Sequence, residues 1–141
     1  MPSVAELANV VAMAEAGTVH FDWMRERPED YGPQIRMRLS QSLAIPAPIY
    51  LRALQMRAVM LERFLNEGFG DFDVLIAPAM PFLPPLSSDV DIGASPKMNG
   101  VVSAMTSFTR PFSFLGLPVV TLPVAASPEG LPIAIQVIAR P

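Results

Sequence analysis

Apolar residues recur at helical spacing through the first half of the chain and gather into short β-type runs further on. Val4, Leu7, Val11 and Ala14 fall three or four positions apart, which predicts a helix over 4–17. Ser3 and Glu6 have the spacing of a capping box at its start, and Gly17 reads as its stop. The polar stretch 22–33, with Pro28 and Gly32-Pro33, reads as a loop, and a short helix follows over 34–43. Pro46 and Pro48 open a longer helix over 49–67. Its stripe of Leu51, Leu54, Ala58, Leu61 and Leu65 marks a buried face opposite Arg52, Gln55, Glu62 and Asn66, and Gly68 closes it.

The period then changes. Val74-Leu75-Ile76, bounded by Asp71 and Pro78, predicts a buried strand over 73–77 that runs into a loop. That loop, 78–85, holds too many prolines for a helix or a central strand. A polar, exposed stretch is expected over 89–97 and a helix over 98–108. Two β-branched runs, 119–125 and 133–139, flank Ser127-Pro128-Glu129-Gly130, whose proline and glycine suit a type I turn with a bulged closure. They should pair antiparallel, and being apolar on successive positions they should be covered on both faces. With no repeat and no break in composition, residues 1–141 read as one domain of α/β class.

Composition sharpens this. Apolar residues make up 51% of the 141 positions and charged residues 16%, against roughly 25% charged in an ordinary soluble domain. No uninterrupted apolar run approaches the roughly 20 residues of a membrane span; residues 115–126 are broken by Pro118 and Pro123. Glu6 stands where a signal peptide would need apolar residues. The excess apolar surface is therefore expected to meet more protein, not a membrane. A net charge of −3 without a Lys/Arg run argues against a nucleic-acid partner. The absence of cysteine removes disulfides and thiolate chemistry and suits a cytoplasmic protein, while a single histidine leaves no zinc set and no cofactor is called for.

Three blocks, in order, carry a family resemblance. Asp73-Val-Leu-Ile-Ala-Pro78-Ala-Met-Pro81 is a strand running into a Pro-x-x-Pro loop. Phe108-Thr-Arg-Pro-Phe-Ser113-Phe-Leu-Gly-Leu-Pro118 and Gly130-Leu-Pro-Ile-Ala-Ile-Gln-Val-Ile-Ala-Arg-Pro141 follow. Together they resemble the C-terminal portion of the amidase-signature family, whose fold packs helices on a mixed β-sheet. The resemblance implies hydrolysis of carboxamide C–N bonds by a serine nucleophile, a bridging serine and a lysine base. In the family all three precede the region that this chain resembles. No Gly/Ser-rich run is present to form an oxyanion nest, and Lys97, the only lysine, has no serine-rich loop beside it. No catalytic residue is carried onto this sequence, both ends read as cut, and the expected partner is an N-terminal amidase portion, with a small amide as substrate of the complete enzyme. The chain departs from the family at Ser113, where Asn is common, and at Ala125, Ala134 and Ala139, where Gly is common.

The candidate pocket residues are Met80 and Phe82 in the proline loop, with Thr109 and Ser113 as hydroxyl candidates near the substrate, although such residues more often cap a turn. His20 reads as a helix-end residue, Asp71 and Asp73 as solvated carboxylates, and Arg140 as closing a strand end onto a carbonyl. The competing reading is a stand-alone, non-catalytic binding or scaffold module of the same fold. An exposed apolar patch and self-association are expected of the isolated chain.

Overall fold

The structure, a computed structural model, describes residues 3–91, 95 and 97–141. Helix α1 spans Val4–Val19 and opens with the expected capping box: the Glu6 amide donates to Ser3 Oγ at 3.2 Å, and the Ser3 amide donates to the Glu6 carboxylate at 2.6 Å. Gly17 does not stop it. The glycine is buried against Ser42, whose Oγ would lie 2.2 Å from an added Cβ, so it serves close packing instead.

The stretch expected as a loop, 22–33, is mostly helical: α2 spans Phe21–Glu26, a 3-10 turn covers Pro28–Asp30, and α3 runs Pro33–Ser42. Pro28 and Pro33 stand in first turns, where a missing N–H costs nothing, so these prolines start helices rather than interrupt them. Helix α4 spans Ala47–Phe64 and passes into one π turn, Leu65–Phe69, ended by Gly70 at φ 52°. Its buried face is Ala53 and Met56, with Leu54, Met60, Leu61, Phe64 and Leu65 half-buried, while Leu51 and Ala58 of the expected stripe lie exposed. Apolar residues occur around most of α4, so spacing alone does not choose the face; contact with α1 does. The added residue of the π turn swings Phe69 fully into the core, edge-on to Phe64 at 5.6 Å.

Strand β1 (Val74–Pro78) is followed by α5 (Ser87–Val90), α6 (Met98–Met105), α7 (Arg110–Leu115), β2 (Val119–Ala126) and β3 (Pro132–Ala139). The polar stretch expected over 89–97 begins inside α5, and residues 92–94 and 96 lie outside the described residues. The single helix expected over 98–108 ends at Met105, and α7, unforeseen, starts anew on Pro111 and closes on Gly116 at φ 74°. The β2–β3 hairpin forms as expected, with the Gly130 amide on Ser127 O at 2.9 Å and Gly130 at φ 80°.

The sheet order is β1-β3-β2, antiparallel throughout, with β3 central. Residues opposed across a ladder share a face. One face carries Leu75, Ala77, Gln136 and Ile138 and packs on the helices, where Ile138 joins Leu7, Val11, Met56, Phe69, Phe114 and Leu115 in the core. The other carries the row Ile76–Val137–Val120 and, one step along, Ile135 beside Leu122. Cover on both faces was expected; here Ile76 is 67% and Val120 58% exposed, and all eight residues of β2 are exposed. Among the described residues the helices reach one face only.

Candidate functional site

Strand β1 delivers the proline loop to the N-terminal end of β3. The Ala79 amide donates to Ala134 O at 3.0 Å, a last ladder bond, and Ala79 is buried. The prolines that follow forbid further pairing, so the chain peels away from the sheet and leaves a cleft of about 510 Å³ beneath residues 78–84. Met80, Phe82 and Leu83 form one wall; Ile133 and Ala134 of β3 and Thr121 of β2 form the other. The lining is almost wholly apolar. Met80 is half-buried, whereas Phe82 is 43% exposed, so the aromatic ring stands at the mouth.

Gln136 fixes this geometry. It is 1% exposed, and its Nε2 donates to Pro78 O at 3.0 Å and to Phe108 O at 2.8 Å. One amide thus ties β3 to the root of the proline loop and to the segment entering α7. Sequence reasoning treated Gln136 only as part of a block. The available signal was an amide between Ile135 and Val137, a polar group that a buried strand keeps only with partners.

Thr109 and Ser113 lie apart from Met80 and Phe82 in their bonding. Thr109, half-buried, donates to Thr106 O at 3.4 Å; Ser113, exposed, donates to Thr109 O at 3.2 Å. These are bonds to nearby carbonyls that shape the α7 turn. Ser113 borders a groove with Arg57 and Arg110. Thr109 adjoins Phe108, whose carbonyl Gln136 holds, and so stands nearer the cleft's support. Of the three alanines standing where the family commonly has glycine, Ala134 lines the cleft, and its methyl narrows the inner wall.

The remaining polar residues have structural partners. His20 Nδ1 lies 2.9 Å from the Tyr31 hydroxyl, joining α1 to the end of the 3-10 turn. Asp71 and Asp73 are exposed. Arg140 donates to Gly70 O and, at 3.3 Å, to Phe72 O, and lies over the Phe69 ring at 5.1 Å, which closes the end of the sheet. Among the described residues no serine hydroxyl bonds to a lysine or histidine side chain. A base-activated serine is therefore not assembled from them.

The model of the family described as Amidase matches residues 2–141. The chain belongs to the Amidase family. It is 36% identical over 135 residues to the 1-carboxybiuret hydrolase subunit AtzE of Pseudomonas sp. (strain ADP), covering 95% of this chain and 29% of that protein. Among solved structures, one described as a crystal structure of amidase superposes with a TM-score of 0.80 at 29% identity, covering 98% of this chain and 31% of the other. A second, described as a vestigial protein complex revealing the evolutionary origins of an s-triazine catabolic enzyme, gives a TM-score of 0.79 at 34% identity, covering 98% and 30%. The chain thus spans under a third of the length of the relatives it matches. Its three sequence blocks identify it with the C-terminal portion of the amidase-signature fold.

Proposed function

We propose that this chain is the pocket-bearing C-terminal part of a cytoplasmic amidase that hydrolyses a carboxamide C–N bond in a small molecule. Residues 1–141 are then one part of a larger domain. The nucleophilic serine, the bridging serine and the lysine base belong to the N-terminal portion. In that reaction a serine oxygen adds to the amide carbonyl, the amine departs with a proton, and water releases the acid and restores the serine. The part given to this chain is binding and orientation. Met80 and Phe82 hold the apolar portion of the substrate, and the Gln136 bridge keeps the loop still, so that the scissile carbonyl is presented in one pose. Thr109 and Ser113 stand outside the cleft lining, and their part is to shape the α7 turn beside Phe108.

The cleft beneath residues 78–84 is the observation that carries this reading: it is a largely apolar concave surface, and it is set by a buried polar tie. The uncovered outer face of the sheet supports the reading of a part over that of a stand-alone module, because a self-sufficient domain hides such a face. The N-terminal portion is the partner proposed to cover it.

The test is activity with and without that partner. The purified chain should match buffer on a panel of simple amides and esters, and co-expression with an N-terminal amidase portion should yield turnover. In the joined enzyme, Phe82→Ala should raise KM for apolar amides by roughly tenfold or more, since burying an aromatic ring contributes about 1.5–3 kcal/mol. Turnover by the chain alone, abolished by replacing one of its own serines, would overturn the proposal.

A further inference from the structure

A second polar feature lies outside the cleft and shares no residue with it. Helices α1, α3, α6 and α7 enclose a groove of about 250 Å³ in which Arg38 and Arg110 face a common space with Asn9, Ser103 and Glu6. On its other side Arg110 borders a groove with Arg57 and Glu15. One edge of the Arg110 guanidinium is pinned, with Nη2 donating to Thr106 Oγ1 and Val102 O. Among the described residues Arg38 donates only to Met13 Sδ, at 3.7 Å, a weak acceptor.

No carboxylate among the described residues pairs with these arginines. The ion pairs found there are Arg27–Asp30 and Arg63–Glu67, both exposed. Glu6, in the groove wall, is engaged by the Ser3 amide and hydroxyl, and Glu15 accepts from the Tyr50 hydroxyl at 3.4 Å. Burial, and next the nearby Arg38 charge, hold the Arg110 guanidinium below its usual range. Two like charges around one groove, both half-buried, are unfavourable unless an anion offsets them.

We infer that the Arg38–Arg110 groove is a carboxylate-binding site. The planar forks of two arginines suit a carboxylate, and Asn9 and Ser103 add neutral donors. Counting Glu6, the lining carries one net positive charge, which matches a singly charged carboxylate and disfavours a phosphate dianion. The carboxylate has two sources: a small organic acid, or an acidic side chain of the N-terminal amidase portion. The site stands independently of amide hydrolysis.

Titration of the full chain with sodium acetate at constant ionic strength, read by NMR of the arginine Nε–Hε groups, tests this. Sodium chloride and inorganic phosphate serve as controls. A saturable shift of the Arg38 and Arg110 signals is expected with acetate and not with chloride. Arg38→Gln, at a position with no strong partner to lose, should weaken binding by about tenfold, the loss expected when a charge-assisted hydrogen bond goes. Arg110→Lys keeps the charge and checks that the fold survives. Repeating the titration with the N-terminal portion present separates the sources. Acetate binding that persists identifies a small-acid site; binding that disappears, with the arginine signals already shifted, identifies a side-chain carboxylate supplied by that portion. Arginine signals that move equally with chloride, or Arg38→Gln binding acetate as the parent does, overturn the inference.

Discussion

Replacing Gln136 with leucine removes one amide group from the centre of the molecule while keeping nearly the same volume. Two carbonyls, Pro78 O and Phe108 O, then lose the donor that now lies 3.0 and 2.8 Å away. A buried acceptor left without a partner costs about 1–3 kcal/mol, so two would cost about 2–6 kcal/mol. Pro78 is exposed, so water can reach its carbonyl once the amide is gone, and the lower part of that range applies. We expect Gln136→Leu to destabilise the chain by about 2–3 kcal/mol, read as a shift in the urea midpoint at unchanged slope. Gln136→Glu should be worse at neutral pH, because a carboxylate would face two carbonyl oxygens. Hydrogen exchange adds a local reading: the Ala79 amide, bonded to Ala134 O at the loop root, should lose protection in both variants beyond the global change. A leucine variant within about 0.5 kcal/mol of the parent, with Ala79 equally protected, would show that the two carbonyls find other donors and that Gln136 does not set the cleft.

Other expectations are brief. Gly116→Ala places a side chain at φ 74°, where Arg57 also lies close, and should cost about 1–2 kcal/mol in thermal or urea unfolding; an unchanged midpoint would show that the end of α7 relaxes. The Ser3 amide and hydroxyl hold the Glu6 carboxyl below its usual range, so its contribution is present above the ordinary glutamate pKa and fades as acid carries the pH through the depressed value. Ser3→Ala should flatten that part of the pH–stability curve, and an unaltered acid limb would contradict it. The isolated chain should self-associate at tens of micromolar in light scattering, and Val120→Lys on the outer face should shift it toward monomer; a clean monomeric parent would show that the exposed row is tolerated.

What could be read from the residues depended on how local the cause was. The Ser3–Glu6 cap, β1, the hairpin and the Pro111 and Gly116 positions rest on neighbours in sequence. All but the last two were legible, and those carried the signs of a helix start and stop that the apolar run 98–108 masked. The 22–33 stretch misled because its prolines mark helix starts, and proline marks breaks equally well. The buried face of α4 followed from the helix it meets, which no spacing in α4 itself encodes. Half of the candidate site was legible in the same sense. Met80 and Phe82 come together because consecutive prolines force the chain off the sheet, a local effect. Gln136 acts across 58 positions on Pro78. The Arg38–Arg110 groove needs four helices to converge, and no motif announces it.

The order of the strands also bears on synthesis. β3, made after β1 and β2, lies between them, so neither has its ladder until Pro132–Ala139 has left the ribosome. Until then β1 is an apolar segment with two open edges, joined by a proline loop to helices that can already pack on one another. The closing step is long-range, with the loop-closure cost that such contacts carry. It forms both ladders, the Gln136 tie and the cleft together. A ribosome paused before Pro132 would hold these helices without the β1-β3-β2 sheet. Folding chaperones would meet that species, with Val74, Ile76 and the whole of β2 still seeking a neighbour.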